Sequence, residues 1–366
     1  MRSNLRSGQL LYGVGDGLHV VGFDPNRLEI TGIARPIGES ILNSRGLSPT
    51  FDLDISNNGT LVYVPAGTSV ASRILMWVDR AGREQPINVP VRAYMYPRIS
   101  PDGKRVALDV RDQENDIWLW HSERQTLSKF TFSPANDQYP VWTPDGRRII
   151  FNSNRATGSN NLFWQAADGS GTTQQLTKST LPQFASAISP DGTRLVFRMD
   201  DPKTGQDLML LSFDRNRTIQ PLVQTPFNEL NAEISPDGHW FAYQSNQSGR
   251  YEIYVRPFPN AADGQWQIST AGGGRPLWSR NGQELFFLSL SGTLMAVRVE
   301  TGATFQASAP TTILDQQYYA DVGRTYDISP DGQRFLMVKT DTGTSTSLMV
   351  VLNWFEDLKE RTARLK

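Results

Sequence analysis

The sequence predicts an all-β protein: a β-propeller of four-stranded antiparallel blades, eight in number, with a short C-terminal helix. Three observations carry that prediction. One five-residue phrase recurs along the chain, each copy leads into a short apolar run, and the copies stand one blade-length apart.

The phrase reads Ile99-Ser-Pro-Asp-Gly103, Trp142-Thr-Pro-Asp-Gly146, Ile188-Ser-Pro-Asp-Gly192, Ile234-Ser-Pro-Asp-Gly238 and Ile328-Ser-Pro-Asp-Gly332, with looser copies at Ile55-Ser-Asn-Asn-Gly59 and Trp278-Ser-Arg-Asn-Gly282. An eighth copy starts at Gly8, where two apolar runs match those around Gly282 and Gly292. The anchor glycines 8, 59, 103, 146, 192, 238, 282 and 332 are 43 to 51 residues apart. Proline presets φ for the first corner of a turn, Asp or Asn bonds the turn backbone, and glycine takes the positive-φ position, so each copy joins two antiparallel strands.

A second pair of strand signals follows each turn, for example Asp116–Trp120 with Leu127–Thr131, or Tyr251–Val255 with Gln265–Ile268. Four strands per repeat make a blade, and the predicted propeller covers 1–352 as one domain. A seven-bladed ring is the alternative and would merge the first and last repeats into one blade. The tail, 353–366, reads as a helix capped by Asn353, with Trp354, Phe355 and Leu358 packed over the open strand edge of the last blade.

Composition narrows the function. With 36 Lys+Arg against 37 Asp+Glu among 366 residues, the chain has no electrostatic footprint for nucleic acid or an anionic membrane. Zero cysteine excludes disulfides, thiol chemistry and cysteine-ligated metal. No run approaches the roughly 18 apolar residues of a membrane span. The first residues lack a signal-peptide core, and the abrupt start equally suits a chain cut from a longer protein. His19, His121 and His239 are too scattered for a metal site, and Gly13–Gly17 reads as a hairpin rather than a nucleotide loop, so neither metal nor cofactor is expected. Two acidic clusters, Asp112/Glu114/Asp116 and Asp200/Asp201/Asp207, lack calcium-loop spacing and read as solvated loop acids. The sequons at Asn58, Asn216 and Asn246 matter only in a glycosylating host.

The Ile/Trp-Ser-Pro-Asp-Gly repeat followed by Ile-Tyr-Val or Ile-Trp-Leu strands resembles the TolB-like, WD-repeat-like β-propeller family over residues 8 to 352. Further segments, Phe23-Asp-Pro-Asn-Arg-Leu-Glu-Ile30, Trp77-Val-Asp-Arg-Ala-Gly82, Tyr251-Glu-Ile-Tyr-Val-Arg-Pro-Phe-Pro259, Gln265-Trp-Gln-Ile-Ser-Thr270 and Val350-Val-Leu-Asn-Trp354, resemble the C-terminal propeller half of bacterial, acidobacterial-type membrane-anchored serine/threonine kinases. That resemblance implies a sensory or protein-interaction role, extracytoplasmic in such a parent. Kinase motifs and the Gly-x-Ser-x-Gly elbow are absent from this chain, so neither phosphoryl transfer nor that hydrolase chemistry is assigned to it, and the balance leans toward a non-catalytic chain.

Geometry selects the candidate binding residues. If the Pro-Asp-Gly turns share one face, the loops entering each first strand crowd the other, around the channel mouth, where binding residues gather. Those loops carry Tyr94, Tyr96, Arg98, Tyr139, Glu229, Asn231, Arg275, Arg324 and Tyr326, with Asp137, Phe184, Tyr318 and Tyr319 alongside. The competing reading is packing between blades, with Arg98, Glu233, Asp54 and Asp327, each just before a turn phrase, paired within the inner ring. The expected function is a monomeric, non-catalytic module for a protein, peptide or small polar ligand. The alternatives are a free-standing TolB-like envelope scaffold and a propeller hydrolase or lyase with a polar site at the channel mouth.

Overall fold

The computed structural model describes residues 2–4, 9–14, 17–40, 43–44, 50–51, 53–56, 58–64, 72–112, 114–302, 304–341 and 348–364. They belong to two compact units, Met1–Ser72 with Thr342–Lys366, and Arg73–Asp341.

Arg73–Asp341 carries six sheets of the blade type among its described residues. Blade 1 runs Arg98–Ile99, Arg105–Arg111, Asn115–His121, Thr126–Lys129. Blade 2 runs Asp137–Trp142, Arg148–Ser153, Asn161–Ala166, Gln174–Gln175. Blade 3 is Gln183–Ile188, Arg194–Asp201, Gly205–Ser212, Ile219–Val223. Blade 4 is Glu229–Ile234, Trp240–Ser245, Glu252–Pro257, Trp266–Gln267. Blade 5 is Gly274–Trp278, Glu284–Leu288, Leu294–Thr301, Phe305–Ala307, with Thr311–Leu314 added along Leu294–Thr301.

Blade 6 is made from both ends of the unit. Its inner strands are Tyr326–Ile328 and Arg334–Thr340, and its outer strands, Arg73–Asp79 and Glu84–Pro86, come from the beginning. Arg73 pairs with Thr340 and Asp79 with Arg334.

The turn phrase forms each first hairpin as its chemistry requires. In blade 1, Ser100 Oγ donates to Asp102 Oδ1 at 2.5 Å, Asp102 Oδ1 accepts from Lys104 N at 3.0 Å, and Gly103 sits at φ 72°. Neighbouring turns also touch, because Gly103 faces the ring of Pro330, Gly146 faces Pro101, Gly192 faces Pro144, Gly238 faces Pro190 and Gly282 faces Pro236. A side chain at any of these glycines would meet the preceding blade.

Between blades lie six apolar clusters, and together they close a ring. Leu108 and Val110 of blade 1 pack with Leu336 and Val338 of blade 6, while Phe335 and Met337 of blade 6 pack with Phe286 and Leu288 of blade 5. The remaining four clusters join blades 1 and 2, 2 and 3, 3 and 4, and 4 and 5. Every sheet therefore buries both faces, which explains the nearly uninterrupted apolar runs in its second strands.

The all-β propeller with a short C-terminal helix is as the repeat predicts, but the blade count of eight requires correction. The ring of Arg73–Asp341 uses the six anchors from Gly103 to Gly332, and the strands that repeat arithmetic gives to the Gly59 copy are divided. Leu61–Tyr63 pairs with Leu53–Ile55 and Met349–Val351, whereas Arg73–Asp79 completes blade 6. The physical cause is the open edge of Arg334–Thr340. Beyond it the sequence Thr-Gly-Thr-Ser-Thr-Ser at 342–347 offers no apolar third strand, and Ile74, Leu75, Met76 and Val78 do.

In the other unit, Arg2–Asn4, Gln9–Val14, Gly17–Asp24 and Glu29–Ser40 form one antiparallel sheet; residues 15 and 16 of the expected Gly13–Gly17 hairpin lie outside the described residues. The helix, Trp354–Arg364, packs Trp354 and Leu358 against Leu11, Leu18, Val20 and Leu61 of this unit. Asn353 lies at φ 53° and Trp354 N bonds Gly59 O at 2.7 Å, so a left-handed residue and a main-chain bond start the helix. No helix of the described residues is long and apolar enough to cross a membrane.

Candidate functional site: the central channel

At the turn end of the ring a cavity of about 330 Å³ opens, lined by inner-strand residues of all six blades and rimmed by Pro101, Pro144, Pro190 and Pro236. Blade 5 breaks the proline rim with Arg280, which is exposed. Trp142 and Trp278 line the walls, held by indole N–H bonds to the carbonyls of Arg98 (2.8 Å) and Glu233 (3.0 Å).

Of the five charged residues that line this cavity, four gather inside it, Arg98, Glu233, Arg324 and Asp327, and Arg280 stands at the rim. Arg324 reaches Asp327 at 3.3 Å and Glu233 at 3.5 Å. Asp327 also accepts from the amides of Ile99 (2.7 Å) and Ile328 (2.9 Å), which fixes blade 6 to blade 1. Burial opposes the charge on Arg324, but Glu233 and Asp327 outweigh it and hold its pKa above the usual arginine value. Burial raises the Glu233 carboxyl, with Arg324 and then Arg98 pulling the other way. Arg98 is different. Its Nη1 donates to the carbonyls of Pro97 (2.7 Å) and Arg324 (2.9 Å), and among the described residues no carboxylate forms an ion pair with it. Burial, reinforced by Arg324, pulls its pKa down to about 9.

The opposite end is crossed by the chain itself. Asn231 Nδ2 donates to Val322 O at 2.6 Å, Arg275 Nε donates to Asp321 O, and Gly323 lies so close to Tyr96 and Tyr139 that a Cβ there would fall 2.7 and 2.9 Å from their rings. Tyr96 and Tyr139 stack at 4.4 Å, and Tyr326 OH bonds Arg275 O at 2.8 Å. Tyr139, Asn231 and Arg275 all have positive φ, between 55° and 61°, and each sits where its strand pairing slips by a β-bulge. A bulge re-aims a side chain, here across the channel, at a cost in backbone strain.

The nine sequence-selected residues are therefore distributed over four places. Arg98 and Arg324 line the cavity; Tyr96, Tyr139, Asn231, Arg275 and Tyr326 surround the crossing segment. Tyr94 is fully buried between blades 6 and 1, its hydroxyl on Pro90 O at 2.6 Å. Glu229 lies buried at the junction of blades 3 and 4, donated to by Thr225. The open mouth is on the turn face, contrary to the expectation that the entering-loop face surrounds it, because 321–323 occupies the latter. Sequence reading missed Trp142, Trp278 and Arg280. Their signal was visible: Trp replaces Ile at the head of two turn phrases, and Arg280 stands where the full copies have proline.

One member of each acidic cluster differs from expectation, while Glu114 is exposed. Asp116 is buried, bonded to Thr131 at 2.9 Å and paired with Lys129 at 2.8 Å. Asp207 is fully buried and accepts from Thr204 at 2.5 Å, while its Oδ1 and the Oε2 of Glu229 have no hydrogen-bond partner among the described residues. Both aspartates serve the packing of their blades and are not solvated loop acids.

No known protein-family profile matches the sequence. Among solved structures, a protein from Agrobacterium tumefaciens described as a TolB superposes with TM-score 0.60 at 18% identity, over 74% of this chain and 98% of that one. The chain has a TolB-like propeller fold. A chain of a nidogen–laminin complex aligns with TM-score 0.50 at 10% identity, over 67% of this chain and 99% of that one. At these identities the likeness concerns architecture alone, and the residues at the TolB-like channel have to speak for themselves.

Proposed function

We propose that this protein is a non-catalytic, monomeric binding module that receives a protein or peptide segment at the turn-side mouth of its channel. The observation that carries this reading is the cavity to which all six blades contribute, open at one end and blocked at the other by 321–323. A site of that size, walled by two indoles and a few fixed charges, suits a side chain or chain end better than a broad flat partner. The segments that resemble kinase-associated propellers support a sensory or scaffolding role in a bacterial signalling kinase, which would put the module outside the cytoplasm. The pairing of Arg324 with both acids argues against an acid–base catalyst, since it commits the carboxylates that such chemistry would need.

Selection of peptides from a displayed library on the whole chain tests this reading. Ser186 lines the mouth, and Ser186→Trp fills it. The expected result is a set of peptides that bind the native chain and not the Trp variant. Selected peptides that bind both equally would overturn the assignment to the mouth.

A further inference from the structure

Among the described residues, the buried guanidinium of Arg98 in the channel makes no ion pair with a carboxylate. Arg98 is only 9% exposed, it lines the cavity, and its Nε has no hydrogen-bond partner among the described residues. Its two protein bonds go to neutral carbonyls. Asp327 and Glu233 are in direct contact with Arg324 and reach Arg98 only through longer-range attraction, so Arg98 bears the desolvation cost of a buried charge without the close, hydrogen-bonded carboxylate that normally offsets it.

We infer that Arg98 is the anchor for a carboxylate of the ligand, bound at the floor of the channel against the walls formed by Trp142 and Trp278. This rests on the reading that the turn-side mouth is a binding site, and it names the chemical group received there. A guanidinium with free N–H groups is shaped for a carboxylate, which can accept two parallel bonds from it. The charge balance agrees. The lining holds Arg98, Arg280 and Arg324 against Glu233 and Asp327, an excess of one positive charge that a single carboxylate neutralises. A phosphate dianion would overfill that balance and bring two charges beside the carboxylates of Glu233 and Asp327. Arg280, exposed where blade 5 lacks the rim proline, is placed to draw an anion toward the mouth before the buried arginine takes it.

The carboxylate can belong to a small organic acid or to an acidic side chain in a peptide. Three probes separate these sources: succinate, the doubly capped peptide Gly-Asp-Gly, and its neutral counterpart Gly-Asn-Gly. The readout is the indole N–H resonances of Trp142 and Trp278 in the whole chain, since both donate to carbonyls at the cavity wall. Saturable shifts with succinate alone point to a small acid; saturable shifts with the Asp peptide point to an acidic segment. In either case the Asn peptide and Arg98→Met should bind at least about tenfold more weakly, the scale of one charge-assisted pair. Because Arg98→Met alters a buried position, Arg280→Gln provides a surface variant, expected to weaken carboxylate binding with the melting temperature unchanged.

Equal response to the Asp and Asn peptides overturns the carboxylate assignment and leaves the binding site standing. Tighter binding of inorganic phosphate than of succinate also overturns it. Absence of any saturable shift with all probes, together with library peptides that ignore Ser186→Trp, removes the site and the inference together.

Discussion

Arg324 stands between two acids, 3.3 Å from Asp327 and 3.5 Å from Glu233, and through them ties blade 6 to blade 4 across the channel. Asp327 belongs to blade 6 and Glu233 to blade 4, with blade 5 between them, so this cluster is a brace as well as a wall of the cavity. Arg324→Met would leave the buried Asp327 and the half-buried Glu233 without their cation. Loss of one partner from a buried pair costs about 3 to 5 kcal/mol, and equilibrium denaturation with urea should read a loss of that order. A change below about 0.5 kcal/mol, the range of surface substitutions, would show that the acids are solvated in solution.

Gly323→Ala tests the segment that crosses the other end. The added methyl would sit 2.7 Å from the Tyr96 ring and 2.9 Å from that of Tyr139, with the two rings already stacked on each other. Overpacking of this kind costs about 1 to 3 kcal/mol, and the variant should melt earlier. Ligand binding at the turn-side mouth should persist, because Arg98 and the two indoles lie at the cavity and not at the crossing. A variant as stable as the native chain would mean that 321–323 is not held against the tyrosines.

Glu229 gives the ring a pH dependence of definite sign. Burial, with Asp207 adding to it and Thr225 opposing, lifts its carboxyl from the ordinary 4.5 to about 7. The folded state therefore holds the proton more tightly than the unfolded chain does. The stabilisation from this proton is complete below pH 4.5 and is lost as pH rises to about 7. Above that, the buried carboxylate costs up to about 3 kcal/mol relative to acid conditions. Glu229→Gln, which keeps the shape without the charge, should flatten the stability profile between pH 4.5 and 7 and stabilise the chain at pH 8. Parallel profiles for the two proteins would assign the dependence to other groups.

Residues 73–341 produced alone should fold, because their six inter-blade clusters already close the ring. Thermal melting of this chain should be cooperative, whereas residues 87–341, which lack both outer strands of blade 6, should aggregate through the bare edge of Arg334–Thr340. Comparable melting of the two would show that the pairing of Arg73–Asp79 contributes little to closure.

The blades were legible because a turn is a local device. Pro, Asp and Gly fix a hairpin within five residues, and the apolar runs beside Gly103 through Gly332 all became second strands. Ring closure was not legible, since the choice between the Gly59 hairpin and blade 6 for Arg73–Asp79 is made more than 250 residues away, at Arg334–Thr340, and both partners offer similar apolar strands. The same limit applies to the site. Arg98 and Arg324 stand out in sequence as charges in or near a turn phrase. The blocked end does not, because Asp321, Val322 and Gly323 belong to no repeat. Asp207 looked like a loop acid and is buried because its neighbours in space, Thr204 and Gln224, satisfy one of its oxygens.

Blade 6 also determines how the ring responds to force. The chain arrives at Arg73 and leaves beyond Thr340, and these two residues are direct partners at the same end of a seven-pair antiparallel ladder. Tension applied at residues 72 and 342 pulls across that ladder and peels it pair by pair, instead of shearing all its bonds at once. Arg73 is the latch at the point of peeling, with its guanidinium 3.7 Å over the Tyr319 ring and a 3.1 Å bond to Tyr94 O. The ring is therefore built to release at a low force, one strand at a time, while blades 1 to 5 carry no load, and a single-molecule pulling trace should begin with a small, early step that Arg73→Ala makes smaller still.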